Sequence, residues 1–299
     1  MPRASGFFYS LVQSNFSTSL PMNDQNLPST ASPMPTLMGI VNVTPDSFSD
    51  GGDFLEPVAA IDHGLALQED GAGILDVGGE STRPGAQLVP EAEEIARILP
   101  VIEGLAANAS VPISIDTRKP GVAIAAMEAG ATLWNDVSAL TYSPESLSAA
   151  SRLDCQIVLM HAQRTPQTMQ INPFYDDVVA DVQASLEARV QACLLAGIDR
   201  DRLILDPGIG FGKTLAHNLA LMRALPDLAA LGYPVLFGAS RKRFIAALDR
   251  DGPAEDRVGG SVAAALQAAR AGARILRIHD VGQTRQALAI DRAIIGYPS

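Results

Sequence analysis

The sequence predicts a closed (β/α)8 barrel, an α/β fold of the TIM-barrel type in a single domain, and three observations carry that expectation. From Thr36 onward, a short apolar run, a polar cluster and an Ala-rich helical segment recur eight times. The runs are apolar throughout rather than on alternate residues, as in parallel strands buried on both faces. Eight such units in about 260 residues suit a barrel in size and number, whereas a doubly wound open sheet rarely needs eight even repeats.

Taken in order, strands are expected at 37–43, 73–77, 112–115, 132–134, 156–160, 203–205, 234–237 and 274–278. Between them, apolar residues at a 3.6-residue period predict helices, among them 58–68, 92–105, 178–195 and 262–270. Glycines at 71, 130, 197, 232 and 272 stop the helices before several strands, each suited to a C′ position with positive φ. The stretch 203–214, LILDPGIGFGKT, is the organising feature. An apolar strand ends in the carboxylate of Asp206 with a Gly-rich turn behind it, where parallel α/β folds bind ligands. It is not an ordinary nucleotide loop. GxxxxGK[ST] needs glycine at 207, which is Pro207, and in GxGxxG the third glycine would come one residue later than Gly212.

With 299 residues, 47% hydrophobic, and no apolar run of transmembrane length, the chain can bury a large core and is expected in the cytoplasm, not in a membrane. A formal net charge of −11 argues against nucleic acid or an anionic bilayer as partner. An anionic substrate must then meet locally placed cations, and the only lysines are Lys119, Lys213 and Lys242. Cys155 and Cys193 lack metal-ligand spacing and read as small buried residues of a reducing compartment. Residues 1–35, rich in Ser, Pro, Asn and Thr without periodicity, are expected to form a disordered tail ahead of a domain at 36–299.

In a barrel, the loops after the strands share one face. Their polar residues are Asn42, Asp76, Asp116, Asn135 with Asp136, His161, Asp206, Ser240 with Lys242, and Arg277 with His279. Strand ends are polar wherever they meet water. Complementary charges on so many loops, with carboxylates on strands 3 and 6 and cations on 7 and 8, mark a binding site instead. The charged runs 91–97 and 176–181 read as solvated helix faces.

The loops after strands 1 and 2, NVTPDSFSDGG from Asn42 and DVGGESTRPGA from Asp76, are long, Gly-rich and polar, like mobile lids. These two segments resemble the signatures of the dihydropteroate synthase family. Ile115-Asp116-Thr117, Asn135-Asp136, Met160-His161, DPGIGFGK, Ser240-Arg241-Lys242 and Arg277-Ile278-His279-Asp280 agree with that family in order and spacing, from Met38 onward. The resemblance implies a transferase of folate biosynthesis and a sulfonamide target. It would join p-aminobenzoate to 6-hydroxymethyl-7,8-dihydropterin pyrophosphate, releasing pyrophosphate. The resemblance assigns the pterin to Asp116, Asn135, Asp206, Lys242, Met160 and Val137, with Asp206 accepting the pterin amide N–H and exocyclic amine together. It assigns the pyrophosphate to Asn42, Thr82, Arg277 and His279, and p-aminobenzoate to Pro45, Thr82, Arg83, Phe211 and Arg243. Asp116, Lys242, Thr82 and Arg83 are the catalytic candidates, Asn42 a ligand to Mg2+, and the assembly a homodimer. Two positions depart from the family pattern. Arg164 stands where the family has glycine, and Arg243 where it often has serine. Two rival readings are a methyltetrahydrofolate-binding methyltransferase barrel, which has no need of pyrophosphate cations, and a pterin-binding paralogue without turnover.

Overall fold

The computed structural model describes residues 34–43, 56–83, 85–165 and 167–295. The expected tail lies outside the described residues except for Met34 and Pro35, and so does Pro45. Eight strands form one parallel sheet: β1 (Thr36–Asn42), β2 (Ile74–Gly78), β3 (Ile113–Asp116), β4 (Leu133–Asp136), β5 (Gln156–Met160), β6 (Leu203–Asp206), β7 (Leu236–Phe237) and β8 (Ile275–Ile278). Their order is β6-β5-β4-β3-β2-β1-β8-β7, and a parallel bridge between Leu205 and Val235 brings the two ends together. The (β/α)8 barrel is therefore as expected. Strand β7 is shorter than its apolar run because Pro234 has no N–H to give the ladder. Pro234 and Val235 contribute carbonyls instead, accepting from Leu205 at 2.9 Å, Arg274 at 2.8 Å and Ile275 at 3.1 Å.

Helices α1 (Glu56–Glu69), α2 (Glu91–Asn108), α3 (Pro120–Glu128), α4 (Ser146–Arg152), α5 (Val178–Leu195), α6 (Leu215–Arg223), α7 (Leu225–Ala229), α8 (Arg243–Leu248), α9 (Val258–Arg270) and α10 (Val281–Ile295) follow the strands. Asp177 starts α5 by accepting from the amides of Val179 and Ala180, and Thr214 starts α6 in a capping box with His217. The five expected helix-stop glycines all have positive φ, from 78° to 113°. Among the described residues, no helix is long and apolar enough to cross a membrane.

Two apolar layers hold the barrel. The larger lies between strands and helices and includes Leu75, Ile115, Trp134 and Leu159, each side chain worth roughly 1.5–3 kcal/mol when fully buried. Both cysteines lie in this layer. The smaller fills the barrel interior with Met38, Ile74, Leu133, Val158, Ile204, Leu236 and Ile275. Strand side chains alternate between faces, so inward positions recur every second residue. Stepping from this plug toward the C-terminal ends gives Asn42, Asp76, Asn135, Met160, Asp206 and Arg277. Register agrees, since Asp76 pairs with Ser114, Asp116 with Asn135 and Met160 with Asp206. An apolar floor thus carries a polar layer directly above it.

One expectation fails. The run 91–97 was read as a solvated face, yet Glu94 is fully buried and paired with Lys119. The first turn of α2 lies over the loop that leaves β3, and that loop supplies the cation.

Candidate active site

Arg277 joins the strands across the mouth of the barrel. Its Nε donates to Asp76 Oδ2 at 2.6 Å and its Nη2 to Asp116 Oδ2 at 2.7 Å. Asn135 Nδ2 donates to the same Asp76 oxygen at 3.2 Å. Asp76 and Asp116 each keep a buried second oxygen without a hydrogen bond among the described residues. Burial pushes the Asp116 carboxyl up to about 7; Arg277 opposes that rise, and the nearby charge of Asp76 adds to it. Asp76 was noted only as a polar strand end. Its place on the inward face, two residues beyond Ile74, was the signal that it belongs with Asp116.

Asp206 closes the turn behind β6, accepting from the Gly208 amide at 2.7 Å. One oxygen of Asp206 thus makes an Asx turn. Gly208 has φ +66°, and a Cβ there would lie 1.9 Å from the His161 carbonyl oxygen, so only glycine fits. Burial raises the Asp206 carboxyl, with Lys242 pulling it back. Burial also lowers the Lys242 ammonium to about 8 despite Asp206. Lys242 lies 4.6 Å from the ring centroid of Phe211 and donates to the Ile209 carbonyl. Asp206, Lys242 and Phe211 therefore share one corner.

Lys213 is buried behind this corner. Its Nζ donates to the carbonyls of Phe211 at 3.0 Å and His161 at 3.2 Å, and lies 3.0 Å from His161 Nδ1. Burial lowers Lys213 to about 7 and His161 to about 3, the latter helped by Lys213, so His161 is a neutral acceptor here. Across the mouth, His279 Nδ1 lies 2.9 Å from Ser240 Oγ. Burial and then Arg277 lower His279 to about 3, so it is a neutral hydrogen-bonding group rather than a second cation. Arg241 sits at φ +57° and is held by Asp280, with Nη2 to Oδ1 at 2.6 Å. Arg164, where the family pattern has glycine, does adopt φ +66°, and its Nη1 donates to the Ile171 carbonyl at 2.6 Å.

Met160 and Val137 are buried beside the polar layer. Thr82 is half-buried and Arg83 exposed on the loop after β2; Arg243 is exposed at the first turn of α8. Asp136, at the end of β4, and Lys119, in the loop after β3, serve elsewhere. Asp136 accepts from Ser138 N and Oγ at 2.7 Å each and from Leu140 N at 2.8 Å, so it shapes its own turn. Lys119 points into a buried cluster with Glu80 and Glu94, away from the cations of the mouth. Asn42 is half-buried at the end of β1. Among the described residues, no three His, Cys, Asp or Glu side chains converge on a possible metal position. A single amide oxygen fits a Mg2+ whose other ligands come from phosphates and water, as that ion prefers.

An inward ring of Asp76, Asp116, Asn135 and Asp206 against Arg277 and Lys242 can bind a flat polar heterocycle and an attached anion. Known proteins agree with that reading. Residues 38–279 match the pterin binding enzyme family. The chain is 49% identical to a dihydropteroate synthase of Neisseria meningitidis over 87% of its own length and 93% of the relative's. It is 45% identical to that of Escherichia coli, over 87% and 92%. A Xanthomonas albilineans dihydropteroate synthase solved with 4-aminobenzoic acid superposes with a TM-score of 0.84 at 52% identity, covering 89% of this chain and 95% of that one. Another structure of the Xanthomonas albilineans enzyme, solved with 7,8-dihydropteroate, gives 0.79 at 46% identity over the same shares.

Proposed function

Because the chain belongs to the pterin binding enzyme family and is a dihydropteroate synthase, we propose how its residues divide the reaction. The C–O bond between the pterin methylene and pyrophosphate breaks, a C–N bond to p-aminobenzoate forms, and the amine loses a proton. Asp206 and Asn135 read the hydrogen-bonding edge of the pterin, Lys242 donates to ring acceptors, and Met160 and Val137 pack against the ring. The observation that carries this assignment is that Asn135, Met160 and Asp206 stand on the inward face directly above the apolar plug, with Lys242 close to Asp206. A buried carboxylate beside a buried ammonium favours a ligand offering both donors and acceptors.

Arg277 takes the charge of the departing pyrophosphate, with Asn42, Thr82 and His279 as neutral donors and ligands. Mg2+ carried by the pyrophosphate and held at Asn42 would supply further charge neutralisation. Thr82 and Arg83, with Pro45, close over p-aminobenzoate, and Phe211 forms one wall. The carboxylate of this substrate meets the amides at the start of α8, beside Arg243. A Yersinia pestis relative has been solved with a sulfonamide drug, and such drugs would compete at this second site. A homodimer in the cytoplasm completes the proposal. Helix α10 leaves Ile290 and Ile294 exposed, which a second copy would cover.

A pyrophosphate-release assay requiring both substrates tests the reading. Methyl transfer from methyltetrahydrofolate without pyrophosphate release would overturn it, and so would pterin binding without turnover.

A further inference from the structure

One buried cluster of charge has no part in those roles. Glu80, just after β2, divides its carboxylate between three partners. Oε1 accepts from Arg118 Nε at 3.1 Å and Nη2 at 2.8 Å. Oε2 accepts from Lys119 Nζ at 2.8 Å and from the amide of Val89, also at 2.8 Å. Lys119 has a second partner in Glu94 of α2, and Arg97 of α2 donates to the Gly79 carbonyl at 3.0 Å. The side chains of Glu80, Lys119 and Glu94 are 6%, 4% and 1% exposed.

We infer that Glu80 is a positioning residue that staples the two ends of the loop after β2, so that Thr82 and Arg83 close in register over the p-aminobenzoate amine. The inference rests on the reading that these two residues cover that substrate. The loop leaves β2 at Gly78 and enters α2 at Glu91. By bonding the amide nine residues along, Glu80 ties the start of the loop to its end and shortens the part that closing must order. Its cations follow Asp116 by two and three positions, so the same carboxylate fixes the loop to the end of β3. A shorter free loop loses less conformational entropy on closing, and the closed state is populated more often. Stability alone does not account for the cluster, because buried ion pairs are often no better than apolar packing. Burial raises the Glu80 carboxyl, yet Lys119, Val89 and Arg118 together hold it below its ordinary value, so it stays charged.

Three variants and Arg83→Ala test this by steady-state kinetics and thermal melting. Glu80→Gln keeps the shape and loses the charge, whereas Val89→Pro removes the amide donor and leaves the Glu80 charge in place. Both are expected to lower kcat about ten-fold and to raise the KM for p-aminobenzoate. The KM for the pterin pyrophosphate should stay within about two-fold, since the pocket that reads the pterin lies on the strands. Glu94→Gln removes the other partner of Lys119 and leaves the Glu80–Val89 bond in place. It should lower the melting temperature and leave kcat and both KM values alone. If Glu80→Gln does not fold, Val89→Pro gives the same readout without a buried charge change. Normal kinetics in the folded Glu80 and Val89 variants while Arg83→Ala is impaired would overturn the staple and spare the loop assignment. An equal catalytic defect in Glu94→Gln would reduce the cluster to general stability and overturn the staple as well. An Arg83→Ala variant with normal turnover would instead remove the loop assignment underneath.

Discussion

Arg277 donates to Asp116 at 2.7 Å while its Nε reaches Asp76 at 2.6 Å, so two carboxylates already hold the guanidinium assigned to pyrophosphate. Two of its five N–H donors are engaged in this way, and the others are left to meet pyrophosphate. Phosphate charge that draws on the same guanidinium leaves Asp116 less neutralised. Substrate binding and the charge on Asp116 are therefore coupled through one side chain.

Arg277→Ala should weaken the pterin pyrophosphate by roughly 1.5–3 kcal/mol more than the pterin alcohol, the value of a lost charge-assisted contact. It should also destabilise the protein by about 3–5 kcal/mol, because Asp76 and Asp116 lose their buried cation. That second effect falls on both ligands alike, so the calorimetric difference between them isolates the phosphate contact. Equal losses for the two ligands would place Arg277 outside the phosphate site.

Arg83→Ala should lower kcat with little change in affinity for the pterin pyrophosphate. Arg83 is exposed on its loop, whereas Asp206, Asn135 and Met160 are buried on strands and already in place. A loop that closes late contributes to the chemical step more than to the first binding event. Titration calorimetry with the pterin pyrophosphate decides the matter, since a matching loss of affinity would put Arg83 in the first site.

Lys213 gives a pH signature. Burial lowers its ammonium from 10.5 to about 7. The folded state then carries the full penalty of a buried charge below pH 7 and loses it as pH rises from about 7 toward 10.5. The unfolded chain binds more protons across that window, so this group makes stability rise with pH. Lys213→Met should abolish the rise, by on the order of 2–4 kcal/mol between its ends. Denaturant midpoints of both proteins at pH 6.5 and 9.5 measure it, and parallel slopes would show that Lys213 does not titrate in that window.

Much of the fold could be read from the chain because buried parallel strands are apolar throughout and glycine stops helices visibly. Alternation along each strand places Asp76 and Arg277 on one inward face, but no local pattern says that they touch, since 201 residues separate them. The Glu80–Lys119 and Glu94–Lys119 pairs, 39 and 25 residues apart, were hidden for the same reason. In sequence Glu94 is one acid in the run EAEE at 91–94, and only the contact of α2 with the loop after β3 separates it from its solvated neighbours. Whether His279 meets pyrophosphate as a cation or as a neutral donor was likewise hidden, because sequence does not report the desolvation that keeps it neutral.

Asp116 yields the sharpest prediction. If the pyrophosphate bond breaks ahead of attack by the weakly basic aniline, positive charge develops on the pterin methylene and spreads into the dihydropterin ring. A fixed anion beside the ring then favours the transition state over the ground state, which is the condition for raising kcat. We propose Asp116 as that anion, with Asp206 kept for the pterin edge. Asp116→Asn keeps the shape and one acceptor for Arg277 but removes the charge, and should lower kcat by about 10²–10³. Affinity for the pterin pyrophosphate should hold or improve, since Arg277 is freed from one carboxylate. Acidity adds a second readout. With the free-enzyme carboxyl at about 7, kcat/KM should fall as pH drops below that value, because the protonated group has no charge to offer. The same raised value means that the folded state binds the extra proton between about 4 and 7. Its contribution to stability is therefore lost as pH rises through that window, and Asp116→Asn should gain on the parent protein from pH 5 to pH 8. An acid limb that survives in the Asn variant belongs to another group, such as Asp206 or the substrate phosphates. A near-normal kcat, or a defect confined to pterin binding, would end the assignment of Asp116 as the stabilising anion.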